Sequence, residues 1–456
     1  MTQRNLLFRD YGLSPLVLFA TITIIVAVTG CDVAGTGSSS KESPDVSRDQ
    51  ATAWMRLTNE IVQAEGLVEP PTARVHAYAG IGYFEGVHRV QLDRYRTAAG
   101  QLNGLSALPD PEAGATYDWV AVAASTESHV LRGLLPDASE QTLVRIDSLR
   151  AQQVAARQSA GVPPSTLERS KDYGEHLADS LLAWARRDGY QATRGRSHDR
   201  PEGPGKWQPT PPDYQSAREP HWAELRPFVI DLGAHQPEAP PPYSEDTSSV
   251  FYKQMKEVYE TSQELTDREV ATARYWNDAP GSSPCPSGHW IAIARQVANQ
   301  KNLGPVETAR LFALTGIANA DGFISVWKSK YRYSYIRPVT AIRRLLDGDW
   351  LPVVETPPFP EYTSGHSVQS MAAAEVLRSA LDGPIAFTNR LKTDPDKSAF
   401  GAFEARSYDS FYEAANKVAL SRVLGGKHFP MAAERGLDQG KTIGEAIAGR
   451  IQLRRE

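Results

Sequence analysis

Apolar residues recur every three to four positions along most of this chain, which is the period of an amphipathic helix. One stripe consists of Trp54, Leu57 and Ile61, and a second lies within residues 143–149. Alternating apolar and polar residues, which would indicate strands, are scarce. The pattern predicts an all-α fold with a helical bundle core. Further alanine-rich helices are predicted near residues 73–90, 117–135, 267–277, 289–301, 306–330, 366–382, 407–425 and 434–453.

Residues 194–245 interrupt this helical pattern with many prolines and aromatic residues, including the run Pro240, Pro241 and Pro242. Proline lacks a main-chain donor and disrupts helices, so regular helix is not expected here. Two interpretations are open for the stretch: a long ordered loop that covers a site, or a poorly ordered insert.

The N-terminus has the pattern of an export signal. Arg4 and Arg9 precede an apolar run at residues 16–28 that is too short for an ordinary membrane-spanning helix. The run ends in the sequence VTGC, which resembles a bacterial lipoprotein signal with Cys31 as the lipid attachment site. An uncleaved anchor or a plain secretory signal is the alternative. We predict a lipoprotein signal peptide at residues 1–30, a flexible tether at 31–48 and a helical domain at 49–456, exported and lipid-anchored in the bacterial cell envelope.

Composition fits a globular enzyme and excludes one class of partner. The chain has 456 residues, of which 41% are hydrophobic and 23% are charged, so it can bury a large core. Its formal net charge of -5 lacks the basic excess of nucleic-acid-binding proteins, and no nucleic-acid partner is expected. The other cysteine is Cys285, so lipidation of Cys31 would leave no pair for an intramolecular disulfide. The sequence leaves the oligomeric state open.

Three separated motifs between residues 270 and 432 carry the candidate chemistry. Together they supply one lysine, two arginines, two histidines, a hydroxyl and a glycine main chain. Three cations can neutralise a phosphate-sized or vanadate-sized oxyanion, and guanidinium groups match its oxygens with paired donors. One imidazole can bond to the central atom while the other transfers protons. The motifs are Lys330-x6-Arg337-Pro338, Ser364-Gly365-His366 and Ser421-Arg422-x3-Gly426-x-His428.

The first motif has helical spacing. Trp327, Lys330, Ser334 and Arg337 step by three, four and three residues, which predicts that they share one helix face before Pro338 disturbs the helix. A buried face with this many cations would suit an anion. A solvated basic face is the alternative interpretation.

The other two motifs are predicted at helix ends. Ser364 precedes an apolar-periodic run, which places the second motif at a helix N-terminus, where free amides attract an anion. Arg422 is spaced to lie on a buried helix face that ends at Gly425 and Gly426, with His428 on the following turn. The ordinary alternatives are a helix cap for the serine and a cation near a helix C-terminus for the arginine.

In this order and spacing, the motifs resemble those of the vanadium-dependent haloperoxidases, most closely the chloroperoxidase-like members. This family shares its site with type 2 phosphatidic acid phosphatases and bacterial class A acid phosphatases, and the resemblance covers roughly residues 49–453. The family pattern has proline where this chain has Thr363. It often has an aspartate that orients the last histidine where this chain has Ala432. The orienting partner of His428 is therefore open, with Glu434 as a candidate.

The resemblance implies two packed four-helix bundles, a vanadate cofactor, and hydrogen peroxide and a halide as substrates. It implies that His428 is the single protein ligand of the metal and that His366 takes a proton from hydrogen peroxide. Lys330 would polarise the activated oxygen. The residues implied to hold vanadate are Lys330, Arg337, Ser364, Gly365, Arg422 and His428.

Further segments extend the resemblance. Trp327 and Phe359 stand where chloroperoxidase members carry an aromatic pair near the halide, which implies a dry pocket that could serve chloride oxidation. The sequence itself leaves the halide and the organic acceptor open. Asp278 lies in a segment that resembles the family's aspartate segment, so we expect it to pair with an arginine or with the proton-handling histidine. A turn aspartate before Pro280 and Gly281 is the alternative.

A second serine-glycine-histidine match occurs at residues 286–289. It precedes the lysine-arginine motif, whereas the family order places the match after it. We therefore do not expect His289 to be catalytic.

Two other functions fit the same motifs. A phosphatase would bind a small phosphate ester, with His428 forming a phosphohistidine and His366 protonating the leaving group. A surface lipoprotein could instead keep the fold for binding alone, but buried cations are costly to retain without an anion. The preferred prediction is vanadate-dependent oxidation of halide by hydrogen peroxide to hypohalous acid.

Overall fold

The computed structural model describes residues 46–393 and 403–455, and this part of the chain is mainly helical. Two short strands, β1 (Phe387–Asn389) and β2 (Arg406–Tyr408), pair antiparallel, and single 3-10 turns lie at His88–Gln91 and Trp222–Glu224. The helices are α1 (Arg48–Ala64), α2 (Pro71–Val87), α3 (Trp119–Leu134), α4 (Glu140–Ser159), α5 (Pro164–Ala185), α6 (Tyr190–Thr193), α7 (Val250–Gln263), α8 (Asp267–Tyr275), α9 (Cys285–Gln300), α10 (Pro305–Tyr333), α11 (Pro338–Leu345), α12 (Gly365–Ala380), α13 (Phe411–Leu424) and α14 (Pro430–Arg450).

The helices pack as two groups. Helices α2, α3, α4 and α5 contact one another in the first group, and α10, α12, α13 and α14 do so in the second. The long helix α10 joins the groups because it packs along α2. This approach is close: a Cβ at Gly80 would lie 2.8 Å from the Phe312 oxygen, and one at Gly316 would lie 2.7 Å from the His76 oxygen. The predicted all-α fold with a helical bundle core is confirmed.

Glycines of α14 allow close packing on α12, the helix that begins at the second motif. A Cβ at Gly440 would overlap the main-chain oxygen of Val368, and one at Gly436 would lie 2.8 Å from the Cβ of Ser367. Real side chains do not approach so closely, so a larger residue at these positions would push the helices apart. This contact therefore sets the position of the N-terminus of α12.

Residues 194–245 form an ordered covering loop whose only regular element is the 3-10 turn at Trp222–Glu224. The main-chain N–H of Trp207 donates to the Ser334 oxygen at 2.7 Å, and that of Arg218 donates to the Pro358 oxygen at 2.9 Å. The loop is thereby fastened to both segments that carry the first and second motifs. Of the two interpretations of this stretch, the structure supports the ordered loop.

The predicted helices correspond to α1–α4, α8–α10 and α12–α14, whereas α5, α6, α7, α11 and the β1–β2 pair were not anticipated. The signal peptide, Cys31 and most of the tether lie outside the described residues. No helix in the described ranges is both long and apolar enough to span a membrane.

Candidate active site

The first motif lies at a break between two helices rather than on one helix face, which corrects the sequence-based expectation. Helix α10 ends at Tyr333, Ser334 adopts a left-handed conformation with φ of 45°, and Arg337 is the N-cap of α11. The cause is Pro338, which starts α11 and favours an extended conformation for the residue before it. The break brings Arg337 to the end of α10 without placing it on that helix.

Lys330 lies in the last turn of α10 and is fully buried. Its ammonium group donates to the carbonyl oxygens of Pro360 at 3.1 Å, Glu361 at 3.0 Å and Thr363 at 2.5 Å. Burial, and then Arg337, lower the pKa of Lys330 well below its usual value, but three acceptors favour the protonated form. All three ammonium donors are therefore directed to the main chain.

The guanidinium of Arg337 is also buried and is positioned by main-chain oxygens. Its Nε donates to Phe359 and its Nη1 donates to Lys427, both at 2.9 Å. Nη1 also lies 3.3 Å from Nε2 of His428. Its Nη2 is buried without a hydrogen-bond partner among the described residues. Arg337 thus keeps one terminal nitrogen unpaired while the other lies beside a ring nitrogen of His428.

The second motif starts helix α12, as predicted. Ser364 is its N-cap, and the Ser364 hydroxyl accepts from the main-chain N–H of Ser367 at 3.4 Å. The first amides of a helix lack partners within it, so those of Gly365 and His366 are available to an anion. A Cβ at Gly365 would lie 3.8 Å from Cε of Lys330, which places this main chain directly beside the lysine.

His366 is the partly exposed member of this group of site residues. Its Nε2 lies 3.5 Å from Nη1 of Arg422. Burial, and then Arg422, lower the pKa of His366 well below its usual value. The imidazole is therefore neutral near pH 7 and can accept a proton.

Arg422 lies near the end of α13 on its buried face, as predicted from the spacing. Its Nη2 donates to the Ala273 oxygen at 3.2 Å and to the Ser421 hydroxyl at 2.9 Å. Burial lowers its pKa to about 10, so the guanidinium stays charged at neutral pH.

His428 lies on the turn before α14, and Glu361 is its orienting partner. The Nδ1 atom of His428 lies 2.9 Å from Oε1 of Glu361, which also accepts from the Phe429 N–H at 3.0 Å. This finding corrects the suggestion of Glu434 for that role. Burial, and then Arg337, lower the pKa of His428 well below its usual value. Its neutral ring can therefore offer Nε2 as a ligand.

Asp278 was expected to pair with an arginine or with the proton-handling histidine. Its carboxylate instead contacts Nδ1 of His289 at 3.0 Å and Nζ of Lys392 at 2.8 Å. Burial acts to raise the pKa of Asp278, but His289 and Lys392 lower it below its usual value. His289, which was not expected to be catalytic, is fully buried and stacks on Trp276. This buried network consists of residues outside the three motifs.

The aromatic pair is in contact, with ring centroids of Trp327 and Phe359 4.9 Å apart. The Phe359 ring also lies 5.1 Å from Nζ of Lys330 and 5.0 Å from the guanidinium carbon of Arg337. The indole N–H of Trp327 donates to the Arg218 oxygen of the covering loop at 3.3 Å. The structure therefore places both predicted aromatic residues at the cationic site, with Phe359 partly exposed.

Sequence reasoning missed two buried charges at this site. Glu361 is separated from His428 by 67 positions, so spacing could not pair them. Lys427 directly precedes His428, and its ammonium donates to the Asn277 side chain at 2.7 Å. A signal for each was present, because Glu361 lies within the matched stretch around Phe359 and Lys427 lies inside the third motif.

The residues fit a small oxyanion. Lys330, Arg337, Arg422 and Lys427 are buried cations, whereas Glu361 is the buried carboxylate that contacts His428. An excess of buried positive charge is unfavourable unless an anion offsets it. The unpaired Nη2 of Arg337 and the Nε2 lone pair of His428 supply a donor and a metal ligand. The fold and the site thus define a class of helical protein whose buried cations and histidine suit a tetrahedral oxyanion.

Comparisons with known proteins identify the family. The chain resembles a solved bacterial vanadium-dependent iodoperoxidase at 35% identity, covering 91% of this chain and 99% of that one, with a TM-score of 0.82. It is similar in fold to a holo-type bacterial vanadium-dependent chloroperoxidase at 19% identity, covering 89% and 98%, with a TM-score of 0.65. The family model described as VCPO second helical-bundle domain matches residues 310–349 and 346–455.

A vanadium chloroperoxidase of Curvularia inaequalis is 30% identical over 142 residues, which is 26% of this chain. The chain spans only 23% of the length of that curated relative. With the near-complete iodoperoxidase match, the chain belongs to the vanadium-dependent haloperoxidase family. This confirms the predicted family, its peroxidase class and vanadate as its cofactor, and nothing in the comparisons favours the phosphatase alternative.

Proposed function

We propose that this protein oxidises iodide with hydrogen peroxide to hypoiodous acid, using vanadate held among the three motifs. The observation that carries the proposal is a buried cluster of cations in which Arg337 keeps Nη2 unpaired and places Nη1 3.3 Å from Nε2 of His428. This arrangement offers a metal ligand next to a donor for an anionic oxygen. Vanadate, when bound, supplies a Lewis-acidic centre that activates hydrogen peroxide, while the oxidation state of vanadium stays the same.

The residues of the chain would divide the remaining work. His428 would ligate the metal through Nε2, because Glu361 engages its other ring nitrogen. Arg337, Arg422 and the helix N-terminus at Ser364 and Gly365 would hold the oxygens of vanadate. Lys330 would contribute positive charge that stabilises the bound vanadate.

His366 would accept the proton of incoming hydrogen peroxide through its neutral ring. Its partial exposure supports this role, as does that of Phe359, because substrates can approach the buried cations from their side. Asp278 would act more remotely, because its negative charge favours the protonated form of His366.

The choice of iodide has a structural argument as well as a comparative one. Chloride is the hardest of the three common halides to oxidise and iodide the easiest, so chloride needs the most strongly polarised oxygen. The ammonium of Lys330 is directed to three main-chain oxygens, so no donor remains to polarise a reacting oxygen through a hydrogen bond. The iodoperoxidase similarity at 35% identity supports the same choice. The Trp327–Phe359 pair by itself would also serve a chloride site.

The test is to reconstitute apo protein with orthovanadate and to assay iodide, bromide and chloride oxidation beside hydrolysis of p-nitrophenyl phosphate. Iodide oxidation that requires vanadate and disappears in His428→Ala is expected. His129→Ala, which alters a surface histidine, is the matched control and should stay active. Phosphate-ester hydrolysis inhibited by vanadate, without iodide oxidation, would replace the proposal with the phosphatase function.

We also propose that Cys31 carries the lipid that anchors the protein to the bacterial envelope. The support is the apolar run at residues 16–28 ending in VTGC. In the native host, Cys31→Ala should move the protein from the membrane fraction to the soluble fraction while the vanadate affinity stays unchanged. Mass spectrometry that finds an unmodified Cys31 in the mature wild-type protein would contradict the anchor.

A further inference from the structure

We infer that Glu361 is the positioning residue that makes His428 a metal ligand, a role for which this chain has no carboxylate at position 432. The inference rests on the proposed site and concerns how His428 is held. Glu361 is fully buried in the segment between α11 and α12. Its Oε1 atom lies 2.9 Å from Nδ1 of His428 and 3.0 Å from the Phe429 nitrogen, which donates to it.

These contacts select the tautomer of His428. The Phe429 N–H donates to Oε1 of Glu361, so this oxygen acts as an acceptor, and a guanidinium only donates hydrogen bonds. Glu361 therefore requires a proton on Nδ1, and Nη1 of Arg337, 3.3 Å from Nε2, requires a lone pair there. Both neighbours favour the same neutral form. That form presents Nε2 to a metal and raises its basicity as a ligand.

The backbone links this orientation to the rest of the site. The carbonyl of Glu361 accepts from Lys330 at 3.0 Å, and its N–H donates to the Tyr335 oxygen at 3.1 Å. The carboxylate also accepts from Phe429, the residue before α14. Glu361 is thus fastened at its main chain to the first motif and at its side chain to the third.

Ala432 cannot supply the same function, because a methyl group offers no acceptor. Its main-chain oxygen accepts from the Ser364 N–H at 3.0 Å, so the residue serves the cap of α12 instead. In this chain the carboxylate that orients the ligand therefore comes from a different segment, before α12 rather than within α14.

The first test determines the tautomer of His428 in the wild-type apo protein. Protein labelled with 15N at histidine is examined by NMR, and the His428 signals are assigned by their loss in His428→Gln. We expect the tautomer with a proton on Nδ1 and none on Nε2. A proton on Nε2 in the wild type would overturn the inference.

The second test measures vanadate affinity of apo protein by equilibrium dialysis in Glu361→Gln, Glu361→Asp and the control Glu355→Gln. Glu355 lies in the same segment but is exposed. Loss of such an orienting group typically costs about 10- to 100-fold in metal affinity, and we expect a loss of this order in Glu361→Gln, together with a mixture of tautomers. Glu361→Asp retains a carboxyl oxygen that accepts from Nδ1 and should lose less affinity.

Two results would contradict the inference in this second test. One is wild-type vanadate affinity in Glu361→Gln. The other is a larger loss in the aspartate variant than in the glutamine variant, which would indicate that side-chain volume rather than acceptor chemistry matters. Neither measurement depends on halide oxidation. A wild-type protein that binds vanadate with the expected tautomer but oxidises no iodide would refute the proposed function alone.

Discussion

Main-chain oxygens position individual side chains at this site, and the donors that they leave unpaired are available to an anion. Arg337 is the clearest case, because main-chain oxygens of Phe359 and Lys427 occupy Nε and Nη1 while Nη2 stays unpaired. A fork held in this way loses little conformational freedom when it binds an oxyanion.

The first prediction concerns that fork. Arg337→Lys keeps the charge but removes the planar set of donors, so vanadate affinity should fall by about 1.5–3 kcal/mol, on the order of 10- to 100-fold. Isothermal titration of apo protein with vanadate measures the change. Arg332→Lys, an exposed residue five positions earlier, should bind like the wild type. Equal affinity in the two variants would show that charge alone holds the anion.

Substitution of His366 should lower the rate of the reaction and leave the binding of vanadate almost unchanged. In His366→Ala the cations remain, so vanadate affinity should stay close to that of the wild type. The turnover number for iodide oxidation should fall by about 10²–10⁴-fold, the usual contribution of general acid–base catalysis. Because its pKa is lowered, the wild-type ring accepts protons down to mildly acidic pH, and this pH dependence should disappear in the variant. Unchanged turnover would remove His366 from the chemistry.

At the scale of elements, the site depends on how closely α12 approaches α14. In Gly440→Ala the added methyl group would overlap the Val368 oxygen, and overpacking of this kind typically costs about 1–3 kcal/mol. We expect a lower free energy of unfolding and weaker vanadate binding, since the N-terminus of α12 must move. Chemical denaturation and vanadate titration on the same variant measure both.

Gly449→Ala is the matched control on α14, because a Cβ there would meet nothing within 4 Å. Alanine favours helix over glycine by up to about 1 kcal/mol, so this variant should be as stable as the wild type or more so. Similar destabilisation of both variants would contradict the explanation of the Gly440 result by the α12 contact.

Elements were predictable where a single period persisted for several turns. Helices such as α10 and α13 follow from their apolar stripes, and the helix start at Ser364 follows from its cap and the run behind it. The placement of Arg337 did not follow, because 3.6-residue spacing cannot reveal a helix break, although Pro338 was a local warning. The contact of Glu361 with His428 joins distant segments, and only tertiary packing determines it.

At the scale of the whole molecule, a buried neutral histidine outside the three motifs links stability to pH. His76 of α2 is fully buried, with Nε2 2.8 Å from the Asn59 oxygen and Nδ1 3.1 Å from the Ser287 hydroxyl. Burial lowers its pKa from 6.5 to about 3. As pH falls, the unfolded chain therefore binds a proton at this histidine before the folded chain does. The contribution of neutral His76 to the free energy of unfolding is complete above pH 6.5 and is lost between pH 6.5 and about 3.

The corresponding prediction compares His76→Gln with the wild type by urea unfolding at pH 7.5 and pH 5. One histidine of this kind changes stability by up to about 1.4 kcal/mol per pH unit, so the wild type should lose about 2 kcal/mol more than the variant on acidification. The surface variant His129→Gln should follow the wild type. Parallel losses in His76→Gln and the wild type would contradict a neutral His76.

The buried cations described above also determine which anions occupy the site before any assay begins. Their positions are fixed by main-chain oxygens and packed helices, so the assembled charge does not depend on vanadate being present. We expect freshly purified protein to retain whichever tetrahedral anion was abundant in its surroundings, above all phosphate from growth medium or buffer. Vanadium must then displace an occupant, and the ratio of the two anions in the environment sets the active fraction.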